Sequence, residues 1–190
     1  MSIMPAFEIG FWNAWILMLL ILLPLPVVGM LRRGVFQTTA SIRASVVSGT
    51  EQKIYILSHV VLLALAIYSI FLPLQFGTIW FSIGLPIYLL GLILQMIAYV
   101  NVATNPVDEP VTKGLYRYSR HPMYVALPLT LIGTGLASAS WPFLLLSAIV
   151  VITQLYNAIP EERECLEAYG NAYREYMNRT PRWIGIPKSE

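Results

Sequence analysis

Two groups of residues in this chain are equipped for chemistry: Arg120-His121-Pro122-Met123-Tyr124 and the adjacent carboxylates Glu161-Glu162. An arginine and a histidine offer positive charge and N–H donors. Paired carboxylates attract an ammonium, a sulfonium or the hydroxyls of a ribose. Each group borders a long apolar stretch, the first at its beginning and the second at its end. If those stretches form a helical hairpin, the open ends meet and bring the two groups together. The segment before them, 101–121, is polar and punctuated by Asn105-Pro106, Glu109-Pro110 and Lys113-Gly114. Its backbone from Val111 to Tyr116 can close the gap, offering N–H groups to a carboxylate or an adenine edge. Pro122 suits a first helical turn, where its missing N–H would lack a partner in any case. The expectation is a polar pocket at the hydrocarbon boundary. S-adenosylmethionine is one of several ligands that would fit it. Alternatively, Glu161 and Glu162 form interfacial ion pairs with Arg120 or Arg163.

The elements that must position these groups are membrane helices. Of 190 residues, 57% are hydrophobic and only 12% charged, half the roughly 25% usual in soluble domains; the mean hydropathy is +0.66. Five stretches are apolar and free of Asp, Glu, Lys and Arg: Phe11 to Leu31, Ile54 to Leu74, Ile79 to Val100, Pro122 to Ala139 and Trp141 to Pro160. About 20 apolar residues cross the hydrocarbon core, so the fourth is the shortest candidate, paired with the fifth through a turn near Ala139-Ser140. All 12 Lys and Arg fall in three places, four in 32–53, three in 113–120 and five in 163–188. Five crossings put all three on one side, with the N-terminus outside and the C-terminus and site cytosolic. The expected fold is therefore an all-α, polytopic membrane helix bundle of about five spans, in which a cytosolic C-terminal helix closes a pocket.

Smaller features complete the reading. The first stretch lacks a basic leader region and is read as a retained span. Pro24, Pro26, Pro73, Pro86 and Pro128 should kink their helices, and Gly84 and Gly91 should allow close packing. His59 is expected to make a helix–helix hydrogen bond, and Gln95 and Gln154 interhelical contacts. Leu166, Tyr169, Tyr173 and Tyr176 recur at helical spacing, predicting an apolar, aromatic face on a tail helix whose other face carries Glu164, Glu167, Asn171, Arg174 and Glu175. Cys165, the single cysteine, is read as structural. Two scattered histidines and one cysteine predict no metal site, and no nucleic-acid partner is expected.

The run Lys113-Gly114-Leu115-Tyr116, then Arg120-His121-Pro122-Met123-Tyr124, then Glu161-Glu162, resembles the RHPxY…EE signature of integral membrane methyltransferases. These comprise the isoprenylcysteine carboxyl methyltransferases and the phospholipid methyltransferases. Gly170, Tyr173 and Tyr176 followed by Thr180-Pro181-Arg182-Trp183 also resemble that family's C-terminal segment, so the likeness covers about 105–185. It is most similar to a prokaryotic isoprenylcysteine enzyme. The resemblance implies S-adenosylmethionine, with S-adenosylhomocysteine as product, held by Val111, Lys113, Gly114, Leu115, Tyr116, His121, Pro122, Met123, Tyr124, Glu161 and Glu162. It implies a methyltransferase region at 105–190 behind membrane helices at 1–104. The acceptor would be a prenylated cysteine or another lipid-borne group in contact with membrane lipids. Where the eukaryotic isoprenylcysteine enzymes carry an arginine one turn before the acidic pair, this chain has Asn157, the expected substrate contact. A C-terminal carboxylate is ionised at neutral pH, so no catalytic base is assigned. A phospholipid amine N-methyltransferase is the alternative, ranked second because a protonated amine must first lose a proton; a nicotinamide-dependent membrane reductase is a further one.

Overall fold

The computed structural model describes residues 7–22 and 48–188. Within them the chain forms six α-helices and one 3-10 turn. They are α1 (Trp15–Leu22), α2 (Gly49–Ser69), α3 (Ile79–Thr104), the turn Gly114–Arg117, α4 (Pro122–Ala137), α5 (Trp141–Tyr169) and α6 (Asn171–Arg179). No strand occurs among the described residues beyond an isolated bridge between Asn13 and Pro73.

Three helices, α2, α3 and α5, are long and apolar enough to cross a membrane, and α4 is a shorter apolar helix. Exposure runs inside-out relative to a soluble protein. Ile56, Leu57, Val60, Leu63 and Ile67 on α2 and Leu145, Ile149, Ile152, Leu155 and Ile159 on α5 face outward. Ser58, Ser69, Gln95, Thr130, Thr134, Ser147 and Thr153 are buried. In hydrocarbon that distribution is favourable, provided the inward polar groups find partners. Several do so on their own helix: Thr134 Oγ1 donates to Thr130 O at 2.7 Å and Ser147 Oγ to Phe143 O at 2.7 Å. This is an integral membrane protein.

Side-chain caps fix where the helices start. Ser48 accepts from Glu51 N–H while Glu51 Oε2 accepts from Ser48 N–H at 2.8 Å, a reciprocal box that opens α2. Thr78 and Ser140 cap α3 and α5 by accepting from Phe81 and Phe143 N–H. Pro122 opens α4 at its first turn, as expected. Ala139, at φ 50°, makes the turn between α4 and α5 where the sequence places it. Gln75 N–H donates to Ala137 O at 2.9 Å, tying this turn to the one between α2 and α3. The buried Tyr88 hydroxyl donates to Leu17 O at 2.7 Å, and Asn13 to Ile70 O at 2.7 Å, which anchors α1 on the same end.

The closest helix pair is α3 with α4, and glycine permits it. A Cβ on Gly91 would fall 2.7 Å from Thr130 N, and one on Gly84 or Gly133 would run into the Ala137 or Tyr88 backbone.

Several expectations are corrected. The helix α2 spans Gly49–Ser69, not Ile54 to Leu74, because the capping box starts it early; Pro73 lies in the following loop and kinks nothing. His59 faces outward and its Nδ1 bonds Tyr55 O at 2.8 Å on its own helix, so it makes no helix–helix bond. The tail is not one separate helix: α5 continues through Pro160 to Tyr169, Gly170 breaks the chain at φ 54°, and α6 follows. Glu164, expected on a polar face, is buried. The end of the first apolar stretch, with Pro24 and Pro26, and the basic loop to residue 47 lie outside the described residues.

Replacing Gly91 by Leu should force α3 and α4 apart, since overpacking costs about 1–3 kcal/mol. Thermal unfolding in detergent should show a clear drop in Tm, whereas Ile152→Leu on the outward face of α5 should leave Tm nearly unchanged.

Candidate functional site

The hairpin of α4 and α5 does bring its open ends together. His121 caps α4 and is buried; Glu161 and Glu162 lie on α5 just past the apolar part. His121 Nε2 is 3.2 Å from Glu162 Oε1, and Nδ1 is 3.6 Å from Glu161 Oε2. Arg120 Nη2 reaches Glu162 Oε1 at 3.3 Å. Arg182 grips the same carboxylate twice, Nε to Oε1 at 3.0 Å and Nη2 to Oε2 at 2.7 Å. Of the ion pairs anticipated from sequence, Arg120 takes Glu162. Arg163 instead turns away to Glu51, its Nη2 lying 2.7 Å from both oxygens.

Arg182 is the functional residue that sequence reasoning missed. It stands in the segment Thr180-Pro181-Arg182-Trp183, and a lone arginine in a tail carries no local signal of a buried partner. The structure lays that segment across the start of α4 as a strap. Arg120 N–H donates to Pro181 O at 3.0 Å, Gly185 N–H to Tyr118 O at 3.0 Å, and Ser119 Oγ to Arg182 O at 3.3 Å. The Trp183 ring lies 5.9 Å from the His121 ring, and Tyr124 stacks on His121 at 5.3 Å.

The 111–116 loop is held by a second residue that the sequence did not single out. Asn101, near the end of α3, accepts from Leu115 N–H at 3.0 Å. Gly114 sits at φ +62° with its Cα against the Asn101 side chain, so a larger residue would suffer both strain and collision. Tyr116 O accepts from the Tyr176 hydroxyl at 2.6 Å, which docks α6 onto the loop. Burial pushes the Tyr116 phenol up, and Glu161 adds to that, so this ring shares the carboxylate's surroundings.

Among the described residues, Val111, Lys113 and Met123 make no hydrogen bond or ion pair to the cluster. Lys113 and Gly114 are exposed, Pro122 is buried, and Val111, Leu115, Met123 and Tyr124 are half-buried. Asn157 lies one turn before Glu161 on α5 and is buried; its Oδ1 has no hydrogen-bond partner.

Charge states follow from this packing. Burial alone would lower the His121 pKa, but Glu161 and Glu162 outweigh it and raise it to about 9. Burial would raise that of Glu162; His121, Arg182 and Arg120 reverse the shift and hold it below the usual carboxylate range. At neutral pH the histidine is an imidazolium and Glu162 is ionised. Cys165 is pushed up to about 12, first by burial and then by Glu161, so it is a thiol and not a nucleophile. No group of three or more His, Cys, Asp and Glu among the described residues is placed to hold a metal ion.

Fold and site together define an integral membrane protein with an ionic cluster at one end of its helices. Residues 80–172 match the family model of the phospholipid methyltransferases. By that match the chain is similar to the integral membrane methyltransferases, a family that also includes the isoprenylcysteine carboxyl methyltransferases. No curated protein matches it. The matched span runs from α3, which carries Asn101, through both halves of the ionic cluster to the start of α6. The match indicates a methyltransferase.

The shifts set a pH signature. The His121 contribution to stability is complete below its ordinary value of 6.5 and is lost as pH rises through about 9. The Glu162 contribution is complete above 4.5 and is lost as pH falls below that. Thermal unfolding in detergent should therefore show an alkaline decline between these His121 values that His121→Gln flattens. A decline of unchanged size in His121→Gln would exclude His121 as its source.

Proposed function

We propose that this protein transfers a methyl group from S-adenosylmethionine to the C-terminal carboxylate of an isoprenylated cysteine, at the cytosolic face of a five-span bundle. The observation that carries the choice of acceptor is the pinning of His121 between Glu161 and Glu162 at 3.6 and 3.2 Å. As an imidazolium it has no lone pair with which to deprotonate an amine. A carboxylate needs no such help, being ionised already.

The residues fit the cofactor. Glu162 is saturated by three cations, whereas the Glu161 side chain is 39% exposed, so Glu161 is the better carboxylate for an ammonium or a ribose hydroxyl. His121, Pro122, Met123 and Tyr124 would form one wall. Val111, Lys113, Gly114, Leu115 and Tyr116, braced by Asn101, would form another. When bound, the cofactor supplies an electrophilic methyl group on its sulfonium. The protein's own share is alignment, worth up to about 7–11 kcal/mol in ideal cases, and a pocket kept dry by Tyr116, Tyr173 and Tyr176. Asn157 would contact the acceptor through its amide, one turn deeper than Glu161.

The topology rests on shared ends. Glu51 with Arg163, Asn101 with Leu115 and His121 with Glu162 gather the start of α2, the end of α3, the start of α4 and the end of α5 at one face. The basic residues of the described loops and tail are there, while the turns at Gly77 and Ala139 carry none. That face is cytosolic by the positive-inside rule. The membrane helices of 1–104 would bury the prenyl chain beside α4 and α5, and the region 105–190 would hold the reacting groups, with α6 as the lid.

A second reading, N-methylation of a phospholipid amine, is favoured by the name of the matching family. A nicotinamide-dependent reductase is the more distant one. Calorimetry in detergent should show S-adenosylhomocysteine binding and no NADPH binding. Glu161→Gln should weaken S-adenosylhomocysteine by about 10–100-fold, the worth of one charge-assisted hydrogen bond. Labelled methyl groups should reach an S-farnesyl cysteine acid and not phosphatidylethanolamine. Label in phosphatidylethanolamine would replace the proposed acceptor, and binding of NADPH alone would end the methyl-transfer reading.

A further inference from the structure

The cluster at the head of α4 and α5 contains a cation that its protein partners do not satisfy. Arg120 has a side chain only 10% exposed, and its Nη2 meets Glu162 Oε1 at 3.3 Å. Its Nε and Nη1 are sealed from solvent and make no hydrogen bond. A guanidinium carries five N–H donors and no acceptor, so a buried one with a single long contact is incomplete.

Glu162 cannot complete it. Its Oε1 already receives His121 Nε2 and Arg182 Nε, and its Oε2 receives Arg182 Nη2. Two nearby acceptors are also engaged: the Pro181 carbonyl takes the Arg120 amide and the Ser119 hydroxyl the His121 amide. The five side chains joined by these contacts comprise three cations, Arg120, His121 and Arg182, against two carboxylates, Glu161 and Glu162. Glu161 and Arg182 are part-exposed, so the buried members are two cations, Arg120 and His121, against the one carboxylate of Glu162, and one more anion beside Arg120 stabilises them. The other cations of the region do not compete for it. Arg182 is spent on both oxygens of Glu162, and Lys113 and Arg117 are exposed on the loop.

We infer that Arg120 is the receptor for a ligand carboxylate, taken up through the N–H groups that the folded chain leaves unused. A carboxylate matches a guanidinium with two parallel bonds. Under the proposed function two ligands carry one, the amino-acid part of the cofactor and the end of the prenylcysteine acceptor, and the inference rests on that reading for their identity. Arg120 is thereby a binding residue of the site and not only a strut for Glu162.

The test uses the full chain in detergent, as wild type, Arg120→Lys and Arg120→Gln, each checked for cooperative thermal unfolding. Two ligand pairs differ in the carboxylate alone or in the part that bears it: S-adenosylhomocysteine with 5′-methylthioadenosine, and S-farnesyl-N-acetylcysteine with its carboxamide as inhibitor. The acid of one pair should weaken by about 10–100-fold in both variants while its neutral counterpart holds. Loss confined to the first pair assigns the cofactor carboxylate; loss confined to the second assigns the acceptor. Equal loss of both members in both pairs, or no loss in either, overturns the inference, leaving a merely structural arginine. A wild type that binds neither adenosine compound nor either farnesyl compound removes the methyl-transfer reading and this inference together. A wild type that binds them, with discrimination intact in the variants, removes this inference alone.

Discussion

A single buried carboxylate organises this protein. Glu162 holds His121 and Arg120 from the start of α4 and Arg182 from the strap, so one anion fastens three stretches of chain that are remote in sequence. Burying it is costly by itself, and its three cations compensate. Removing it would leave Arg120 charged and buried without a counter-ion and His121 with Glu161 alone, a loss of about 3–5 kcal/mol in comparable cases. The pair Glu51 with Arg163 performs a lesser version of the same task, pinning α2 to α5 while its cation stays 45% exposed. Both anchors stand at one end of the helices. At the other end the turns are tied by backbone hydrogen bonds and contain no charge.

The inequality of helix lengths sets that anchor against a wall. The 16 residues of α4 rise about 24 Å, and the 29 residues of α5 about 44 Å, against a hydrocarbon core of about 30 Å. Starting from a common turn at Ala139, α5 must outrun α4, and its last turns stand clear of the core as a wall. Glu161 and Glu162 fall where α5 passes the head of α4. The loop 111–116, set by Asn101, and α6, set by the Tyr176 hydroxyl on Tyr116 O, close on that wall. Glycines 84, 91 and 133 keep α3 close enough to α4 for Asn101 to reach the loop.

Most of this frame was legible in the sequence because it depends on local, additive properties. Apolar runs of sufficient length and turn residues at 75–78 and 139–140 mark helix and turn without knowledge of packing. The meeting of His121 with Glu161 and Glu162 followed from hairpin geometry alone. What escaped is non-local. The partner of Glu162 from the tail, Arg182, is chosen by how a strap folds back, and Asn101 is read from sequence as one more polar residue after an apolar span. The continuity of α5 past Pro160 escaped for another reason. A proline forfeits one hydrogen bond inside a helix, and packing on both sides outweighs that loss. His59 misled because an imidazole in an apolar run can satisfy itself on its own backbone at Tyr55 O.

The electrostatics of the cluster constrain its chemistry more tightly than its shape does. Locking a histidine between two carboxylates secures the fold but removes the one side chain best suited to proton transfer at neutral pH. The thiol and phenols nearby are committed in the same direction. The Cys165 thiol and the phenols of Tyr116, Tyr173 and Tyr176 are all driven up, chiefly by burial, and stay protonated. A reaction that begins by abstracting a proton therefore has no evident base among these groups. A reaction between a pre-formed anion and a cationic methyl donor needs none, and it gains from burial that keeps water off the anion. The cost of hiding so many polar groups at the membrane boundary is thus borne by a site whose task, under the proposed function, is to align two charged reactants.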